Sequence, residues 1–171
     1  GLTILNDLLY DEPGYGGPAA AFIVRSLNPG HVMAVDLRYL DPVINGGVKT
    51  QCQGEKSGYG WTSDIRRLMK AQTVYFVESP INALSVECAD MPFSAAYAIR
   101  GVGNALTIDL SWLKGKRVVI AMDNDAPDEK GHRPGRTAAW ALHERLTALD
   151  VAAMMVDQSE WQDSDENPIN D

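Results

Sequence analysis

The sequence predicts an α/β fold: a mostly parallel sheet of about four strands flanked by helices, preceded by a small β-rich subdomain. Three observations carry this reading. From residue 73 onward, short β-branched or aromatic runs alternate with helical segments, the signature of crossover connections and a parallel sheet. Before residue 70 the texture changes to alternating strands and Gly-rich polar loop. The chain has 171 residues and 45% apolar content, enough for one domain with a sizeable core and a small appendage.

In chain order, "AAFIVRSLNPGHVMAVDLRYLDP" reads as two strands joined by a turn at Asn28-Pro29-Gly30. "NGGVKTQCQGEKSGYGW" reads as loop. "TVYFVE" is a buried strand, and "SPINALSVECAD" a helix capped by Ser79 with Pro80 at its first position. "SAAYAIRG" and "KRVVIAMD" are the next two strands. "RTAAWALHERLTALD" places Ala138, Leu142, Leu146 and Leu149 on one helical face, and "VAAMMVD" is the fourth strand. The expected units are residues 1–70 (β-rich), 71–158 (α/β) and 159–171 (an acidic tail).

No apolar run approaches the eighteen or so residues of a membrane helix, and the opening lacks a signal-peptide pattern. Cys52 and Cys88 lie far apart with no His pair nearby, which argues against structural zinc and for a reducing compartment; a cytoplasmic protein is expected. The net charge of −8 is uneven: residues 1–149 carry sixteen acids against fifteen bases, and the last twenty-two residues carry seven acids and no base. An anionic partner therefore remains compatible with the body of the chain.

The informative stretch is "VVIAMDNDAPDEKG". Asp123 and Asp125 leave a buried strand side by side, an arrangement that repulsion disfavours unless a cation rewards it or the turn is simply solvated. Ligands of parallel sheets bind beyond the carboxyl ends of the strands, which puts Glu78 at the same edge. A calcium loop fails because Pro127 and Asp128 occupy its third-ligand and glycine positions. A phosphoaspartyl hydrolase expects Thr or Val where Pro127 stands. Magnesium, or manganese in its place, suits two carboxylates plus water and phosphate oxygens.

Glu78 in "VYFVESPINAL", Gly101 in "AIRGVGNA" and Asp123-Asn124-Asp125 in "VVIAMDND" together resemble the Toprim domain shared by topoisomerases and bacterial-type primases, over roughly residues 70–157. The resemblance implies that Glu78 is a general acid/base or metal ligand and that Asp123 and Asp125 hold magnesium. It departs at Asn82, where family members commonly carry a further acid. The tail either completes the metal cluster, through Asp163 and Asp165 or through Asn170-Asp171, or is a solvated acidic segment. In primases the Toprim unit follows a basic β-rich lobe; Lys49, Lys56, Arg66 and Arg67 are the corresponding phosphate-binding candidates here, unless they form a solvated loop. Lys130, Arg133 and Arg136 follow the acids, and Arg136 opens a helix, a favourable place for a triphosphate.

His31 and His143 have no partner at ligand spacing, and His132 is a loop residue near the acids, where it either touches substrate or is simply exposed. Ser79 lacks a nucleophile elbow, and Trp61 and Tyr59 are read as packing or turn residues rather than base platforms. The expected function is Mg²⁺-dependent nucleotidyl transfer by the catalytic part of a primase from a phage, plasmid or other mobile element. Its partners would be single-stranded DNA, nucleoside triphosphates and a fused or separate helicase. A Toprim nuclease and a non-catalytic Toprim scaffold are the alternatives.

Overall fold

The computed structural model describes residues 2–7 (as backbone), 17–27, 31–43, 46–124 and 127–158. Four strands form an antiparallel sheet in chain order: β1 Leu2–Asp7, β2 Gly17–Arg25, β3 Val32–Tyr39 and β4 Thr50–Gly54. β2 and β3 pair with Ala21 opposite Leu37; the turn expected at residues 28–30 lies outside the described residues. Period-two alternation divides the faces. Ala19, Ala21, Leu37 and Tyr39 cluster on one side, while Phe22, Val24 and Ala34 face the α/β unit.

β4 corrects the reading of its segment as loop. Thr50, Gln51, Cys52 and Gln53 give no apolar alternation, yet they pair along β3 from Arg38 to Val35, where the ladder hydrogen bonds stabilise what local propensity does not. The chain then runs along the free edge of the second sheet. Trp61 and Ala98 exchange both backbone hydrogen bonds at 2.8 Å. Trp61 is 1% exposed and packs edge-on against Phe22 at 5.4 Å, so it is a core residue joining the two sheets.

The second sheet is fully parallel, in the order β6-β5-β7-β8. It comprises β5 Thr73–Val77, β6 Ser94–Ala98, β7 Arg117–Ala121 and β8 Ala152–Met155. Helix α1 Ile65–Lys70 leads in, with the Asp64 carboxylate capping the Arg66 and Arg67 amides at 2.7 and 3.2 Å. α2 Pro80–Cys88 connects β5 to β6 and starts as expected, with Ser79 accepting from the Asn82 amide and Pro80 at the first position. α3 Pro134–Ala148 connects β7 to β8 and buries Ala138, Leu142 and Leu146. Leu149, expected on the same face, is 47% exposed, because the helix has ended and Asp150 turns into the left-handed region at φ 57°.

Tyr97 of β6 lies in this core, and its hydroxyl accepts the Gly60 N–H at 3.1 Å. A Cβ on Gly60 would stand 2.6 Å from the Ala98 carbonyl oxygen, so only glycine lets the edge segment lie this close. Burial pushes the Tyr97 phenol up to about 12, against an ordinary value near 10. The raised folded value means that this contribution to stability is whole below about pH 10 and lost as pH rises towards 12. Two pH units correspond to about 2–3 kcal/mol. Tyr97→Phe is therefore expected to flatten alkaline unfolding between about pH 10 and 12 in chemical denaturation. Near pH 7 it should destabilise the protein by about 1–3 kcal/mol, because the Gly60 N–H loses its partner.

Candidate active edge

The parallel register fixes where the acids emerge. Val77 of β5 lies beside Ala121 of β7 on adjacent strands, about 4.8 Å apart. Glu78 follows β5 by one residue and Asp123 follows β7 by two, so both leave the sheet at its carboxyl edge and both are half-buried. Asp125, the other member of the predicted pair, lies outside the described residues, as do Asp163 and Asp165.

Asn82 links the two strand ends. Its side-chain amide donates to Asp123 Oδ1 at 2.8 Å, and its oxygen accepts from the Ser79 hydroxyl in a short contact. The first turn of α2, which starts two residues after Glu78, thus reaches across to the Asp123 carboxylate. The residue that departs from the family pattern therefore belongs to the site, as a neutral donor holding an acid in place.

Two glycines shape the edge. Gly101 has φ 110° and ψ 151°, a region open essentially to glycine alone. The amides of Arg100 and Gly101 donate to the Glu78 carbonyl at 2.9 and 3.1 Å, so the turn after β6 anchors the backbone of Glu78. Gly135, in the first turn of α3, lies against the Asp123 backbone, and a Cβ there would overlap its carbonyl oxygen.

Glu78 opens into a cleft of about 350 Å³ between the two sheets, lined on the opposite wall by Asp36, Arg38 and Cys52 and closed by Lys56 and Arg100. The side chains of Arg38 and Lys56 make no hydrogen bond or ion pair among the described residues. Arg38 was not singled out from the sequence; its position on β3 turns it into the cleft. On the other side, Asp123 lines a cavity of about 290 Å³ with Asn124, Arg133, Arg136, Trp140 and Asp157. Arg133 Nη1 donates to Asn124 Oδ1 at 3.4 Å.

The predicted basic residues do not all converge. Lys56 is in the cleft, and Lys49 directly precedes Thr50 on its rim. Arg66 lines a separate cavity of about 620 Å³ with Arg25 and Asp64. The Arg67 guanidinium donates to the Ser94 carbonyl at 2.9 Å and lies 3.5 Å from Asp90. Arg136 sits at the other cavity, beside Asp123.

Among the described residues no group of three or more His, Cys, Asp or Glu side chains gathers as a metal cluster. Two carboxylates leave neighbouring strand ends here, Glu78 lining the cleft and Asp123 the other cavity, each with room beside it for further oxygen ligands. Hard oxygen donors in that number fit magnesium, which is usually bound by one or two carboxylates and completes its shell with water and substrate phosphates.

A parallel α/β sheet with acids at the ends of adjacent strands and a glycine turn anchoring one of them defines a class of acidic-edge α/β domains. Within that class the chain belongs to the Toprim domain family, whose model matches residues 73–171, more than half of the sequence. Toprim domains serve nucleic-acid processing and typically bind Mg²⁺ through acidic residues. No curated protein matches the chain. No helix among the described residues is long and apolar enough to cross a membrane.

Proposed function

We propose that this chain is the catalytic Toprim part of a DNA primase, extending a primer on single-stranded DNA by nucleotidyl transfer. One observation supports this over a nuclease or a scaffold: each acid lines a cavity that also carries basic side chains, Glu78 with Arg38 and Lys56, Asp123 with Arg133 and Arg136. Transfer needs two anionic substrates at one edge, a strand and a triphosphate, whereas hydrolysis of a phosphodiester needs one.

In this reading the strand lies in the cleft, its phosphates against Lys56, Arg38 and Lys49, contacts that hold backbone without reading sequence. Arg136 and Arg133 receive the triphosphate on the Asp123 side, where the first turn of α3 adds a favourable dipole. Glu78, facing the cleft, accepts the proton of the attacking 3′-hydroxyl or completes the cation's shell. Asp123, with Asp125 and the tail acids Asp163 and Asp165, would hold magnesium or manganese; once bound, the ion neutralises phosphate charge and lowers the barrier to attack at phosphorus. Asn82 holds the Asp123 carboxylate by its side-chain amide, from the first turn of the helix that follows Glu78. Single-stranded DNA, nucleoside triphosphates and a fused or separate helicase are the proposed partners, in the cytoplasm.

The test is incubation of the protein with single-stranded DNA, Mg²⁺ and nucleoside triphosphates, followed by sizing of the products. New or lengthened strands support the reading; shortened DNA points to a nuclease, and unchanged DNA with unchanged triphosphates to a scaffold. The cleft has its own check. Arg38→Gln with Lys56→Gln should reduce the slope of log affinity against log salt by about 1.4, from about 0.7 for each lost single-strand phosphate contact. An unchanged slope would remove the strand from the cleft.

A further inference from the structure

Arg100 combines two unfavourable features. It is a non-glycine residue at φ 67°, in the left-handed region that side chains disfavour. Its charged side chain is also 1% exposed. Burying an ion pair seldom adds to stability, and backbone strain persists only where the surroundings impose it. Both features occur at one residue, two positions beyond β6 and against the active edge, which calls for a reason other than stability.

The contacts supply one. Nε and Nη2 grip the two oxygens of Asp36 on β3 at 2.6 and 2.7 Å, a bidentate pair. Nη1 reaches the carbonyls of Glu55, Lys56 and Tyr59 at 3.2, 3.3 and 3.2 Å, and Nη2 also meets the Cys52 thiol at 3.1 Å. The guanidinium thus engages β3, β4 and the loop after β4, all in the antiparallel sheet or its extension. At the same residue, the backbone N–H donates to the Glu78 carbonyl at 2.9 Å. Burial alone would lower the Arg100 pKa, but Asp36 and Cys52 together more than offset it, so the guanidinium stays charged.

We propose that Arg100 is a positioning residue: with Asp36 it latches the β-rich lobe to the active edge and so sets the cleft across which Lys56 and Arg38 face Glu78. The latch rests on the reading of that cleft as the strand site. Lysine cannot replace it, since an ammonium lacks both the fork that matches a carboxylate and enough donors to reach the three carbonyls as well. The loop carrying Lys56 is held by the same guanidinium, so loosening the latch displaces the phosphate-binding ammonium and the Glu78 backbone together.

Removing one partner alone would leave a buried charge and risks unfolding, so the decisive variant is Arg100→Met with Asp36→Leu, which removes both charges and keeps volume. Two readouts follow, both on protein shown to unfold cooperatively. In amide hydrogen exchange, the Arg100 and Gly101 N–H groups should exchange about 10-fold faster or more, with the β2–β3 ladder unchanged. Affinity for a single-stranded oligonucleotide should fall about 10-fold, with the salt slope reduced by about 0.7 to 1.4, while Mg²⁺ affinity measured by calorimetry stays within about twofold. Arg100→Lys should show the same pattern in weaker form.

Unchanged exchange at Arg100 and Gly101 would overturn the latch, and so would unchanged affinity and slope in a parent that binds DNA. A parent that binds no single-stranded DNA would instead defeat the functional reading, and the exchange result would still decide the latch.

Discussion

Asp123→Asn is expected to abolish the chemistry while leaving the fold intact. The asparagine keeps an oxygen at the position that accepts from Asn82 at 2.8 Å, so the link between α2 and the end of β7 survives. The charge that would hold a divalent ion is gone. At an Mg²⁺ concentration a hundredfold above its dissociation constant, the parent should gain about 2.7 kcal/mol of unfolding free energy and the variant almost none. Primer extension should fall to background. Glu78→Gln separates the two roles of its carboxylate: as the proton acceptor it should lose about 10²–10⁴ in turnover with most of the Mg²⁺ stabilisation retained. Its backbone is held independently by the Arg100 and Gly101 amides, so folding is not at stake. An Asp123→Asn protein that still extends primers would reduce the acidic strand end to a turn.

Gly135→Ala should be strongly damaging, because its added carbon would come nearer a backbone atom than at any other described glycine. Glycine normally weakens a helix, and alanine should help by about 1 kcal/mol. Here the added carbon would overlap the Asp123 carbonyl oxygen and sit 3.2 Å from its carbonyl carbon. Neither neighbour is a flexible side chain, so α3 must move off the strand end or Asp123 must shift. The expected cost is about 1–3 kcal/mol net, with turnover down about 100-fold from an ångström-scale displacement of Asp123. Gly103→Ala is the control: nothing lies within 4 Å of the added carbon, and both stability and activity should hold. Urea unfolding and turnover of the two variants measure the contrast; similar behaviour would mean that the helix accommodates the methyl freely.

Much of the edge was legible because parallel sheets obey simple rules. Once β5 and β7 are recognised as neighbouring parallel strands, the residues after them must emerge together, whatever the loops do. Ser79 and Pro80 announced the start of α2 by local chemistry alone. Asn82 was visible as a departure from the expected acid, but its amide reaches a carboxylate 41 residues away, and nothing local says which one. Leu149 fitted the helical stripe and still lies outside it, because the stripe does not reveal where the helix stops.

The sequence by itself determined the alternation of strands and helices, the family, and the placement of Glu78 and Asp123 at one edge. These follow from periodicity, capping and chirality, which act over a few residues or through fixed crossover rules. Tertiary structure decided the rest. β4 formed from a polar segment because β3 offered it a ladder. Arg38 and Lys56 came to face Glu78, while Arg66 and Arg67 took up other surroundings. Arg100 found Asp36 across 64 residues. Which charges meet depends on how the two sheets pack together, and that packing is set by the apolar faces of Phe22, Val24, Trp61 and Ala98, which carry no mark of the polar contacts they bring together.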